Sequence, residues 1–213
     1  MLGLLGANGA GKSTFVKAIT GQLPLLAGRV AVDGVDLGRH PERAKGRFGL
    51  AVEGSDLPAA LTGAQYLEMV ASIRGCAAED WLFPDVMEGL GLGAWLDRPI
   101  ALHSMGTRAK VAFAAALLGA PPLLIFDESL NGLDPLASHK VKRMIAEAAG
   151  TGRHAVVLAT HVVETVPGLC TRAIFIAGGH VVESWDAARL AEDGAMPGQF
   201  AARLMSALRA QAA

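Results

Sequence analysis

Apolar positions along this chain follow two patterns. Residues 2–5, 48–52, 123–126 and 155–160 are short, unbroken apolar runs bounded by glycine, proline or polar residues. Runs of that length predict strands buried on both faces, as in a parallel sheet. Between them, apolar residues recur at helical spacing. The first run is followed by a glycine turn and a helix over 11–20, closed by Gly21. Residues 29–37 (RVAVDGVDL) alternate around Asp33-Gly34, which predicts a small antiparallel flap. Thr62, with Gln65 three residues on, forms a capping box for a helix that Gly75 ends, with Tyr66, Val70 and Ile73 on one face. Helical signal continues through 85–96 and 104–119. Asp134 caps another helix, with Pro135 at its first position and Gly150 just past its end. Residues 174–183 (IFIAGGHVVE) form a hairpin around two glycines, and 186–213 is a helical tail with Phe200, Leu204 and Leu208 at helical spacing.

These elements predict one domain: an α/β core over 1–53 and 121–185, a mainly helical lobe over 54–120, and the tail over 186–213. At 213 residues and 52% hydrophobic composition, the chain suits a single compact domain with a sizeable core. Lysine and arginine total 19 against 20 acids without long runs, so no basic face points to nucleic acid. Cys76 and Cys170 lack metal-type spacing and are expected as buried thiols in a reducing cytosol. The opening has no basic n-region, and the apolar stretch 111–126 is broken by Gly119, Pro121 and Pro122. It falls short of the ~20 residues that cross a bilayer.

Candidate chemistry sits at the ends of the strands. Gly6-Ala7-Asn8-Gly9-Ala10-Gly11-Lys12-Ser13-Thr14 fits G-x-x-x-x-G-K-[ST], with a strand before it and a helix after it. The glycines let backbone N–H groups curl around phosphate oxygens at a positive helix end. Lys12 neutralises the terminal phosphates, and the Ser13 hydroxyl is a ligand for Mg²⁺. The run 123–126 ends in Asp127 and Glu128. Asp127 would hold the Mg²⁺ shell and Glu128 would orient or deprotonate an attacking water. Together these motifs specify a P-loop ATPase core, a mainly parallel sheet with flanking helices. They do not specify its subclass.

Residues 102–108 (LHSMGTR) open a helix for which Ser104 is a natural N-cap. Here the sequence resembles the ABC ATPase family, whose LSGGQ signature appears with Ser104 and Gly106 kept, His103 for Leu, Met105 for the first Gly and Thr107 for Gln. The resemblance implies ATP sandwiched between the phosphate loop of one subunit and Ser104, Gly106 and the helix N-terminus of a second, in a head-to-tail homodimer. Residues 129–134 (SLNGLD) resemble the family's D-loop, and His161 resembles its γ-phosphate-sensing histidine.

The family's glutamine after the strand at 48–52 is Glu53 here, a carboxylate placed near Mg²⁺. The resemblance also implies antiparallel strands and an adenine-stacking aromatic ahead of the phosphate loop, whereas Met1 stands five residues before Gly6. A late start is therefore expected, with weak ATP binding and exposed edges at 29–37 and 174–183. The implied function is the ATP-hydrolysing subunit of a transporter, peripheral on the cytoplasmic side of the membrane, driving a separate transmembrane permease. Residues 61–67 and 131–135 most resemble bacterial ABC-2-type exporters. A soluble non-transport ABC ATPase, a nucleotide-binding module that has lost turnover, and a small-molecule P-loop kinase stay open as alternatives.

Overall fold

Strand β1 (Leu2–Leu5) buries Gly3, Leu4 and Leu5, as a run with no polar residue to expose should. The computed structural model describes residues 1–77, 80–196 and 198–211. After β1 come α1 (Lys12–Ile19), β2 (Ala31–Val32), β3 (Val35–Asp36), α2 (Pro41–Lys45), β4 (Phe48–Ala51), α3 (Gly63–Arg74) and α4 (Val86–Gly89). Then follow α5 (Met105–Leu117), β5 (Leu123–Asp127), α6 (Pro135–Gly150), β6 (Ala155–Thr160), β7 (Arg172–Ala177), β8 (His180–Trp185), α7 (Ala187–Asp193) and α8 (Gln199–Gln211). The chain forms two compact units, one of residues 1–16 with 157–213 and the other of residues 17–156.

In the first unit β1 lies between β6 and β7, parallel to both, with Leu5 opposite Thr160 on one side and Phe175 on the other. Strand β7 turns back antiparallel as β8 through Gly178 and Gly179, whose φ of 56° and 79° fit the expected two-glycine turn. The tail packs on β8 through a buried cluster. Trp185 Nε1 donates to the Asp193 carboxylate at 3.0 Å, Arg203 pairs with the same carboxylate, and Phe200 meets the Trp185 ring edge-on. Asp193 is fully buried, so these partners offset the desolvation of its charge. The tail is two helices rather than one, with Gly194 closing α7 and Gly198 at φ 78° before α8. Leu204 is buried, while residues 212–213 and the Leu208 side chain lie outside the described residues.

In the second unit β4 and β5 pair in parallel, Phe48 opposite Leu123 and Ala51 opposite Phe126. Helix α5 lies on them with every residue from Val111 to Leu117 buried, and Phe113 stacks on Phe126 at 5.2 Å. A side chain at Gly49 would collide with the Ala116 carbonyl, so this contact requires glycine. The flap at 29–37 is a pair of two-residue strands turned by Asp33 and Gly34, at φ 48° and 74°.

Helix α3 carries both bonds of the expected capping box and ends at left-handed Gly75. Tyr66, Val70 and Ile73 share one face, as the spacing predicts. Leu67 and Ala71 are buried, whereas Ile73 is 77% exposed and lines, with Tyr66 and Val70, an open groove of about 520 Å³. The Arg74 guanidinium donates to the carbonyls of Ala115 and Leu118 at 2.9 and 2.8 Å, tying the end of α3 to the end of α5. The helical pattern read over 85–96 is realised only as the four-residue α4 and a 3₁₀ turn at 93–95. Gly89, Gly91 and Gly93 interrupt it, Gly91 at φ 64°. Asp134 caps α6 by accepting from the Ala137 amide at 2.9 Å, and Gly150 is the last helical residue rather than the first beyond.

Both cysteines are free, Cys170 buried and Cys76 half-buried. Burial pushes the Cys170 thiol up to about 12. Among the described residues no helix is long and apolar enough to cross a membrane.

Candidate functional site

The phosphate-loop residues belong to the first unit. The chain leaves β1 at Gly6, where a Cβ would stand 2.7 Å from the Ile176 carbonyl oxygen, so any larger residue would push the loop off β7. Gly9 and Gly11 have φ of 77° and 108°, a backbone that turns amides inward and that side chains resist. The Gly179 amide donates to the Ala10 carbonyl at 3.1 Å, so the β7–β8 turn braces the loop from behind. Ala7, Asn8 and Gly9 face solvent, as do Ser13 and Thr14 on the first turn of α1. Lys12 is 5% exposed, and its Nζ donates to the Gly6 and Ala7 carbonyls at 2.8 and 3.2 Å. This is an anion cradle: helix-N-terminal amides and an ammonium group beneath exposed glycine backbone. His161 is in the same unit. It is exposed one residue past Thr160, which pairs with Leu5 just before Gly6, so His161 leaves the sheet level with the loop.

The carboxylates belong to the second unit, and the β4–β5 register fixes two of them. Ala51 pairs with Phe126, so Glu53 and Glu128 both fall two residues beyond a paired position at the same sheet edge. They line one cavity of about 320 Å³. Asp127 ends β5, and Glu128 has φ 49°, a left-handed conformation that costs a non-glycine residue energy and is held by its surroundings. Asn131 holds it, donating Nδ2–H to Glu128 Oε2 and its amide to the Glu128 carbonyl, at 3.1 and 3.0 Å. The Asp127 and Glu53 carboxylates of this unit, like the Ser13 hydroxyl of the first, are each hard oxygen donors of the type Mg²⁺ takes.

The signature segment begins α5 in this unit. Ser104 caps the helix, accepting from the Thr107 amide at 3.1 Å and sharing a 2.9 Å bond with the Thr107 hydroxyl. A Cβ at Gly106 would lie 2.7 Å from the Gly132 carbonyl oxygen, so bare backbone there lets the helix start touch the 129–134 loop. Met105 is 67% exposed beside it. His103 is buried, its Nε2 2.9 Å from the Trp95 carbonyl.

The sequence reading gives Arg108 no role and includes Ser129 only as part of the 129–134 loop. Arg108 Nε and Nη2 donate to the Ile100 and Ala101 carbonyls at 3.1 and 3.0 Å, holding the turn before the signature. Ser129, 2% exposed, lines the cavity beside Glu128. An arginine four residues past an N-cap carries no local signal of such a role. Ser129 could have been found from its place directly after the strand-end carboxylates.

A model of the ABC transporter family matches residues 1–131. The chain is 35% identical over 181 residues to the uncharacterized ABC transporter ATP-binding protein YdbJ of Bacillus subtilis, covering 85% of this chain and 58% of that protein. It is 34% identical over 183 residues to human retinal-specific phospholipid-transporting ATPase ABCA4, covering 83% of this chain and 8% of that protein. The chain therefore spans less than two thirds of either relative's length. A solved ATP binding subunit of an ABC transporter superposes with a TM-score of 0.80 at 31% identity, over 87% of this chain and 78% of that one. The dimeric post-hydrolysis cassette MJ0796, bound to ADP and Pi, shares the fold with a TM-score of 0.77 at 19% identity, over 88% and 85%.

Proposed function

The chain belongs to the ABC transporter family, and from that premise we propose that it binds ATP and hydrolyses it to drive transport through a separate membrane subunit. The observation that carries this reading is the cradle at 6–14, with left-handed Gly9 and Gly11, buried Lys12 and the open first turn of α1. In the proposal the loop amides and Lys12 bind the triphosphate and offset its charge. Glu128, held by Asn131, orients the attacking water and accepts its proton, and His161 contacts the terminal phosphate. Ser13, Asp127 and Glu53 would hold Mg²⁺, which supplies charge neutralisation at the phosphates when bound. Ser104, Gly106 and the α5 N-terminus act on the nucleotide of a second copy in a head-to-tail dimer. The permease partner, the export direction and a peripheral position on the cytoplasmic face belong to the same proposal.

A reading as a binding module without turnover is favoured by one feature, the carboxylate of Glu53 where the family has an amide. Glu128→Gln separates the two. Hydrolysis predicts retained ATP affinity with phosphate release slowed by a factor on the order of 10² or more, the usual cost of removing a positioned base. Release within twofold of the parent would remove Glu128 from the chemistry.

A further inference from the structure

His103 is where this signature segment departs from the family's leucine, and the structure gives it an unusual position. It is 4% exposed, lines the 320 Å³ cavity, and sits directly before the Ser104 cap. The Trp95 carbonyl is an acceptor only, so the bond to Nε2 makes that nitrogen the N–H donor. In the neutral ring Nδ1 is then a bare acceptor, and among the described residues nothing donates to it. Ser129 lines the same cavity, and its Oγ is buried and also lacks a protein partner among the described residues.

A leucine would fill the volume of His103 without burying an acceptor. The Trp95 bond alone accounts for one ring nitrogen and leaves the other costly. Two buried polar groups with unused hydrogen-bonding capacity, in one cavity roomy enough for water, are the setting in which ordered water is retained.

We propose that His103 is a positioning residue for Glu128, acting through water that donates to His103 Nδ1 and accepts from the Ser129 hydroxyl. The link ties the segment that starts α5 to the 128–131 turn. That turn needs support, because Glu128 is held in a left-handed conformation immediately before Ser129. Loosening the link lets the carboxylate drift, which slows turnover without touching the phosphate cradle of the other unit. The inference rests on the reading of Glu128 given above.

The test exploits the two ring nitrogens. His103→Gln keeps a donor near the Nε2 position for the Trp95 carbonyl but has no acceptor at the Nδ1 position. His103→Asn places an acceptor near the Nδ1 position but cannot reach Trp95. The link predicts that His103→Gln lowers kcat about tenfold with KM for ATP within twofold, a loss typical of a misplaced catalytic group. His103→Asn should lower melting temperature yet keep most of kcat. Ser129→Ala should match His103→Gln, and the double variant should fall no further, since the residues form one link. Amide exchange across 129–131 should quicken in His103→Gln and Ser129→Ala but not in His103→Asn. Parental kcat and exchange in His103→Gln, or equal loss in the Gln and Asn variants, overturns the link and leaves His103 as an anchor for Trp95. The exchange measurement stands even if the parent releases no phosphate, an outcome that would overturn the ATPase reading instead.

Discussion

Glu53 and Glu128 reach the same sheet edge for different reasons, and only one was fully legible from its surroundings in the sequence. Glu128 follows an apolar strand and an aspartate in a spacing tied to phosphate chemistry, so residue types alone lead to the role proposed for it. Its left-handed backbone and its bond to Asn131 depend on a turn that no residue pattern specifies. Glu53 was placed near the metal by resemblance, and the structure adds that it shares a cavity with Glu128. If Glu53 stands beside a bound triphosphate and Mg²⁺, as the resemblance implies, its surplus charge disfavours the bound nucleotide. Glu53→Gln is therefore expected to raise basal phosphate release or shift its Mg²⁺ midpoint, read by titrating Mg²⁺ at fixed ATP. An unchanged rate and midpoint would leave Glu53 with no role at the metal. His103 was illegible in this sense because its bond to the Trp95 carbonyl depends on how the 93–95 turn packs against the segment before α5.

Helix α3 was legible to the residue and the segment at 85–96 was not, and the contrast shows which signals survive folding. Thr62, Gln65 and Gly75 act through their own backbone: the Thr62 hydroxyl accepts from the Gln65 amide at 3.1 Å, the Gln65 side chain accepts from the Thr62 amide at 2.9 Å, and Gly75 supplies the left-handed stop. Local chemistry of that kind needs no tertiary partner. The apolar spacing at 85–96 was real, but each interior glycine costs roughly 1 kcal/mol against alanine in a helix, and the alternating glycines at 89, 91 and 93 outweigh it. Periodicity names the shared face of Tyr66, Val70 and Ile73, whereas the long-range bonds of Arg74 to α5 carry no signal in the sequence. Thr62→Ala should destabilise the protein by about 1 kcal/mol through loss of the cap. Urea denaturation should show a lower midpoint at constant slope. Thr62→Ser should restore most of the loss, and a Thr62→Ala midpoint equal to the parent would mean that packing, not the cap, sets the start of α3.

The whole chain is organised by pairings across long separations. The first unit takes residues 1–16 from one end and 157–213 from the other, while the second is the uninterrupted stretch 17–156. Strand β1 finds its partners at Val157 and Arg172 opposite Leu2, so the sheet that carries the phosphate loop cannot form until nearly the whole chain has been made. Closing such a loop costs entropy before any contact rewards it, and non-local parallel pairing is slow for that reason. The loop motif is thus legible within nine residues, but its competence is not local. Gly6 is shaped by Ile176 and Ala10 is held by Gly179, both in the last part of the chain. A chain ending at residue 156 keeps every residue of the motif and loses β7, β8 and most of β6. It should therefore fail to bind ATP in calorimetric titration, while the contiguous 17–156 stretch keeps the β4–β5 pair and its α5 core. Adding residues 157–213 as a separate peptide should restore binding in proportion to the peptide bound, since β6 and β7 flank β1 without needing the covalent connection. If the 1–156 chain alone binds ATP as tightly as the full chain, the motif forms its cradle from local sequence, and the bracing by the β7–β8 turn has no bearing on nucleotide affinity.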